Sequence, residues 1–160
     1  MNILLHDFAG HPFQAQLSRE LARRGHRVTH AFCGGVTTGR GDLARRPGDP
    51  DGLRFADRST GAFERYDPLR RLRGELAYGR SVAALLTELR PDAVVSANTP
   101  LVAQALLWRA AARTGARRVY WLQDFLGRGT RAVLAGRRAD GVPIGRSGPG
   151  VRVRARPHPR

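Results

Sequence analysis

The chain contains no lysine: all 28 of its basic residues are arginine, set against 13 acidic ones. A net charge of +15 raises the question of a nucleic-acid partner. Exclusive use of arginine, however, points to coding bias as much as to selection for phosphate contacts. The charge is also unevenly spread. Nine arginines and only Asp140 lie between Arg128 and Arg160, so eight of the fifteen net charges sit at the carboxyl end. A charge run at a terminus is ordinarily solvated, and nucleic acid is therefore disfavoured as a partner. Cysteine is scarce as well, and a single residue, Cys33, excludes an intrachain disulfide framework. No apolar run approaches the ~20 residues that span a bilayer. No basic segment followed by an apolar run opens the chain, as a secretory signal would require. These absences favour the cytoplasm. Clustered arginines such as Arg65, Arg70, Arg71 and Arg73 read as a solvated basic face, with weak contact to the anionic inner membrane face as the alternative. Also missing are a P-loop and a G-x-S-x-G elbow.

What is present is a chain of 160 residues, 41% hydrophobic, enough for one domain with a core. It opens as a βαβ unit. Ile3-Leu4-Leu5 is a short apolar run suited to a strand buried on both faces. Pro12 suits a first helical turn. Phe13, Leu17 and Leu21 recur every fourth residue and predict one apolar stripe, with Arg19, Glu20, Arg23 and Arg24 on the wet side. Gly25 ends the helix, and Val28–Phe32 reads as the second strand. A long Gly/Pro-rich connection from Cys33 to Pro50 follows, then a short third strand near Leu53. Leu69, Leu72, Leu76, Ala83 and Leu86 predict a helix stopped by Pro91. Residues 92–98 read as a buried strand. Thr99-Pro100 is expected to cap a helix with the face Leu101, Ala105, Trp108 and Ala112, and residues 118–124 read as the last strand. This alternation predicts an α/β fold: a Rossmann-like parallel sheet flanked by helices, with right-handed crossovers. Residues 1–135 form the expected domain, and residues 136–160, dominated by Gly, Pro and Arg, an expected disordered tail.

In such a sheet, ligands sit at the carboxyl ends of the strands. Those ends present Asp7, Gly10 and His11 after the first strand, Asn98 and Thr99 after the fourth, and Gln123 and Asp124 after the last. Gly10 allows close approach of a ligand to the backbone, and His11 at a helix start is a candidate neutral donor or acceptor. The alternative is that Asp7, Thr99 and Asp124 only cap helices and turns. The first turn is not G-x-G-x-x-G and the second strand does not end in an acid, which disfavours NAD. Metal is not expected either. His26 and His30 on one strand would stand about 13 Å apart, too far to share an ion with ligands ~2 Å away. Cys33 is expected to be a buried filler.

The opening from Met1 to Val28, with Asp7-Phe-Ala-Gly-His-Pro12 at its turn, resembles that of bacterial family 4 glycosyltransferases of the colanic-acid and O-antigen type. So do Pro91-Asp-Ala-Val-Val-Ser-Ala-Asn-Thr-Pro100 and Tyr120-Trp-Leu-Gln-Asp-Phe125; the resemblance extends over residues 1–134. It implies a GT-B enzyme in which two Rossmann-like domains face a cleft. Such an enzyme would transfer a sugar, with retention of configuration, from a nucleotide-sugar to a glycan or lipid-linked acceptor, using neither metal nor cofactor. The amino-terminal domain would hold the sugar acceptor. His11, Asn98 and Asp124 would stand at the reaction centre, and Asp7, Gly10, Thr99 and Gln123 would bind substrate. Many relatives carry a His in this loop, where this chain has Asn98-Thr99-Pro100. The family's carboxyl-terminal domain carries E-x-x-x-x-x-x-x-E, yet after Asp124 the only acid is Asp140. The resemblance therefore implies a truncated or frameshifted product, inactive alone, that a separate donor-binding chain would complete. The rival expectation is a non-enzymatic basic module that binds nucleic acid or an acidic partner.

Overall fold

The structure, a computed structural model, describes residues 1–36, 40–61 and 67–122. Within these, strands and helices follow in the order β1 (Asn2–Asp7), α1 (Pro12–Arg23), β2 (Arg27–Phe32), β3 (Leu53–Asp57), α2 (Pro68–Leu89), β4 (Ala93–Ala97), α3 (Leu101–Thr114) and β5 (Arg117–Trp121). The strands form one parallel sheet in the order β3-β2-β1-β4-β5. This is the α/β Rossmann-like architecture expected from the sequence. Gln123 and Asp124 lie outside the described residues, as does the 136–160 tail.

Side chains alternate across β1, and the two faces build two cores. Leu4 and Val94 point to α2 and α3, where Tyr78, Val82, Leu86 and Leu107 close over them. Ile3, Leu5, Val28 and Leu53 point to the opposite face and meet Ala22 of α1, with Leu17 and Leu21 half-buried at the margin. Cys33 is buried in the first core, and burial pushes its thiol up.

The helices form as expected but turn different faces inward. On α1 the buried residues are Gln14, Ala15, Ser18, Arg19 and Ala22, whereas Phe13 is 41% exposed. Small Ala and Ser side chains let the helix axis come close to the sheet, and the larger Leu side chains flank that line of contact. Arg23 and Arg24 remain on the surface and pair with Glu20. On α3 the buried set is Ala103, Leu107, Ala110 and Ala111, and Leu101 is 86% exposed. That helix is apolar nearly all round, so its sequence pattern does not single out one face. On α2, Leu86 is buried as expected but Leu69 and Leu72 are exposed. Asp67 caps α2, accepting from the backbone N–H groups of Leu69 and Arg70.

The parallel β2-to-β3 connection contains no helix among the described residues. Arg19 holds it instead. Its Nε donates to Asp49, Nη1 to the carbonyl of Asp42 at 3.0 Å and Nη2 to the carbonyl of Ala44 at 2.8 Å, with the guanidinium over the Phe55 ring. A residue read from sequence as solvent-facing is thus the anchor of a loop that packs against α1.

Helices α2 and α3 touch at Gly79. A Cβ there would fall 2.7 Å from the Cα of Ala103, a backbone atom that cannot swing aside. Gly79→Val is therefore expected to destabilise the domain by about 2–3 kcal/mol through overpacking. A denaturant midpoint unchanged by this substitution would refute the close contact.

Candidate functional site

The order β3-β2-β1-β4-β5 reverses direction between β1 and β4. There the segments leaving the two strands diverge and open a crevice. Register brings the tips level, since His6 pairs with Ser96 and Asp7 with Ala97. The residues that follow, 8–11 and 98–100, face each other across the switch point.

Asp7, fully buried, ends β1. Its carboxylate accepts the backbone N–H groups of Ala9 and His11, which supports the turn-capping alternative. It also lies 3.2 Å from Nδ1 of His11. A carboxylate can only accept, so the proton between them belongs to Nδ1, and Nε2 is left as the lone-pair nitrogen. Nδ2 of Asn98 stands 3.3 Å from that same Nδ1; with the ring proton turned to Asp7, two donors face each other there, so Asn98 is a neighbour of the ring and not its hydrogen-bond partner. Asn98 adopts φ +48°, a left-handed conformation that Asn tolerates better than most residues and that turns the chain sharply out of β4. The ring of His11, 28% exposed, stacks on Phe13 at 5.5 Å between centroids, and Phe13 meets Trp121 at 5.8 Å. The site is therefore an oriented imidazole and an amide beside two partly exposed aromatic rings.

Two other sequence candidates are placed differently. Gly10 adopts φ +74°, but its open side is filled by the chain itself. A Cβ would lie 2.5 Å from Leu43 Cδ1, and the Gly10 carbonyl accepts from Gly41. The Gly10 notch thus seats Leu43. Thr99 does not cap α3, whose N-cap is Pro100 and has no side-chain cap. Its hydroxyl turns inward, 3.1 Å from both Ser96 Oγ and His6 Nδ1. There His6 Nε2 meets the Tyr78 hydroxyl at 2.8 Å, and Ser96 donates to Gln104. Burial, with a smaller effect of His30, pushes the His6 imidazole down to about 3, so it stays neutral and serves the core. Gln123 and Asp124 fall outside the described residues. Asp7, His11 and Asn98 are the candidates brought together.

Sequence reading missed Phe13 and Trp121 as part of this group. Phe13 fitted the helical stripe equally well. Its place in the first turn of α1, directly after the His11-Pro12 tip, was the signal that sets it at the strand ends. Among the described residues no group of three or more His, Cys, Asp or Glu could hold a metal ion, and no helix is long and apolar enough to cross a membrane. Of the arginines at the start of α2, Arg70 pairs with Asp67 and Arg71 with Glu75, while Arg65 lies outside the described residues.

The sequence matches no family model and no curated protein. Solved structures do resemble it. The C-terminal domain of a hydrogenase from Pyrococcus furiosus superposes with a TM-score of 0.54 at 12% identity, covering 76% of this chain and 90% of that one. The glycotransferase of kitacinnamycin gives 0.48 at 18% identity, covering 85% of this chain and 34% of that one. The calicheamicin glycosyltransferase gives 0.45 at 19%, covering 89% and 36%. The chain thus spans about a third of the length of either transferase. The likeness is one of fold, and it defines the class: an α/β domain of Rossmann-like topology.

Proposed function

We propose that this chain is the acceptor-side domain of a glycosyltransferase that uses a nucleotide-sugar donor. The observation that carries the reading is the convergence of Asp7, His11 and Asn98 at the switch point, beside the rings of Phe13 and Trp121. The resemblance of the opening and of the 91–100 and 120–125 segments to family 4 transferases supports it. Aromatic rings suit the apolar face of a sugar, and an amide suits its hydroxyls. In the proposed step an acceptor hydroxyl oxygen attacks the anomeric carbon of the donor. Its proton passes to Nε2 of His11, and the nucleoside diphosphate leaves with the bonding pair. Asp7 holds the ring and stabilises the imidazolium that forms. Asp124, the third residue the resemblance implies, is assigned no step.

The resemblance implies retention of configuration. The Asp7–His11 pair favours inversion, because a base that takes the hydroxyl proton serves displacement from the face opposite the leaving group. Donor binding is assigned to a second domain facing this one, and this domain is expected to be inactive alone. Product made with both domains present and read by NMR decides the stereochemistry.

The domain reading itself is tested by titrating the full chain with acceptor oligosaccharides and with NAD. Oligosaccharide is expected to move the resonances of His11, Phe13, Asn98 and Trp121, whereas NAD moves none of them. Trp121→Ala should weaken binding about tenfold, the equivalent of about 1.4 kcal/mol of stacking. Response of these four residues to NAD, with none of them responding to any sugar, overturns the proposal. Nucleic-acid binding that survives both deletion of residues 137–160 and Arg109→Gln/Arg113→Gln would favour the basic-module reading instead.

A further inference from the structure

On the outer side of the α2–α3 layer, a groove of about 260 Å³ runs between the two helices. Its floor includes Ala83 and Ala84 of α2 and Ala110 of α3, side chains too short to fill it. Arg80 stands on one side, and Arg109 and Arg113 on the other. Spaced four apart, the last two share one face of α3. No acidic residue lines the groove, and α3 contains none at all.

Arginines elsewhere on the α2–α3 layer are engaged in part, and Arg73 and Arg90, like those of the groove, have no ion pair among the described residues. Arg70 and Arg71 hold carboxylates, and Arg58 holds Ser81. Arg80, Arg109 and Arg113 have no ion pair among the described residues. Arg113 complements the carboxyl-terminal dipole of α3, which accounts for one of the three but not for their convergence on a notch. Three like charges around a cavity repel one another, and an anion seated between them relieves that repulsion. Guanidinium groups match phosphate oxygens through paired N–H donors.

We propose that this groove binds a phosphate or pyrophosphate group. Its volume falls just below the range of pockets for drug-sized ligands, so it takes a charged headgroup rather than an extended molecule. The groove lies along the carboxyl-terminal halves of α2 and α3, away from the strand tips where His11 and Asn98 meet. The inference therefore stands independently of the glycosyltransferase reading.

The test must be site-resolved, because the arginines of residues 128–160 would also attract phosphate. The full, isotope-labelled chain is titrated with inorganic pyrophosphate. The amides of Ala83, Ala84 and Ala110 are expected to shift in a saturable manner, with an affinity that falls at least tenfold in Arg109→Gln/Arg113→Gln. Arg54→Gln, on β3, should leave that affinity unchanged. Co-sedimentation with phosphatidic acid vesicles, against phosphatidylcholine vesicles, separates the sources: binding that depends on Arg109 and Arg113 assigns a lipid headgroup, and pyrophosphate binding without vesicle binding assigns a soluble phosphate. Should the double variant lose its fold, as read by circular dichroism, single Arg80→Gln and Arg109→Gln variants carry the same comparison. Shifts absent from the groove, or unchanged when these arginines are removed, overturn the proposal.

Discussion

Arg19→Met is expected to destabilise the domain by about 3 kcal/mol and to free the 40–52 loop. Arg19 and Asp49 are 5% and 4% exposed, and their ion pair spans 3.1 Å. Removing one partner of a buried pair leaves the other charge uncompensated, at a typical cost of 3–5 kcal/mol; the lower end is expected because part of the loop lies at the surface. Here the carbonyls of Asp42 and Ala44 also lose their donors. Arg19→Lys should rescue little, since one ammonium cannot reproduce the three directions of the fork. Arg19→Met/Asp49→Leu removes both charges, and it should recover a substantial part of the loss. Two measurements check this: the denaturant midpoint, and limited proteolysis between residues 40 and 52. If Arg19→Met unfolds at the parental midpoint with its loop still resistant, the anchor does not exist.

The same residue shows where sequence reading stops. Strand positions were legible because β1 and β4 are covered on both faces and read as short uninterrupted apolar runs. Helix positions were legible from period and from Pro12, Gly25 and Pro91. Which side of each helix faces inward was not, for two physical reasons. On α1 the decisive contact is a carboxylate thirty residues away, which no local pattern encodes. On α3, apolar residues surround the axis, so a one-residue rotation leaves the pattern intact. The candidate site was legible to the extent that it follows topology. Parallel register brings the tips of β1 and β4 together, and Asp7 and His11 are separated by a single turn. The inward turn of Thr99 and the seating of Leu43 on Gly10 depend on tertiary contacts of an irregular segment, and the sequence gives no periodic sign of either.

Acid should unfold this domain well above the range where carboxylates titrate. Two imidazoles are buried and neutral. His6 is pushed down to about 3, chiefly by burial and then by His30; His30 is pushed down to about 4, chiefly by burial and then by the Arg19 charge. The ordinary value is 6.5. Above it both states are neutral, and the full stability is present. As pH falls below 6.5 the unfolded chain binds two protons that the folded chain excludes. Stability then declines by about 3 kcal/mol per pH unit, until His30 and afterwards His6 begin to titrate in the fold. Two units of acidification remove about 5 kcal/mol, comparable to the whole stability of a small domain. The carboxyl of Asp42, held low chiefly by the Arg46 guanidinium, and that of Asp49, held low chiefly by the Arg46 backbone N–H, act in the same direction. Their contribution is lost only below about pH 4, beneath the histidine window. Denaturant titrations at pH 7, 6, 5 and 4.5 should therefore give a slope that is small near pH 7 and approaches about two protons between pH 6 and 5. His30→Gln should cut it to about one, because His30 accounts for one of the two excluded protons, with Nδ1 held by Ser18 and Nε2 buried without a partner among the described residues. A parental slope below one proton between pH 5 and 6 would mean that these rings are reached by solvent protons in the folded state, and that neither core is sealed around its histidine.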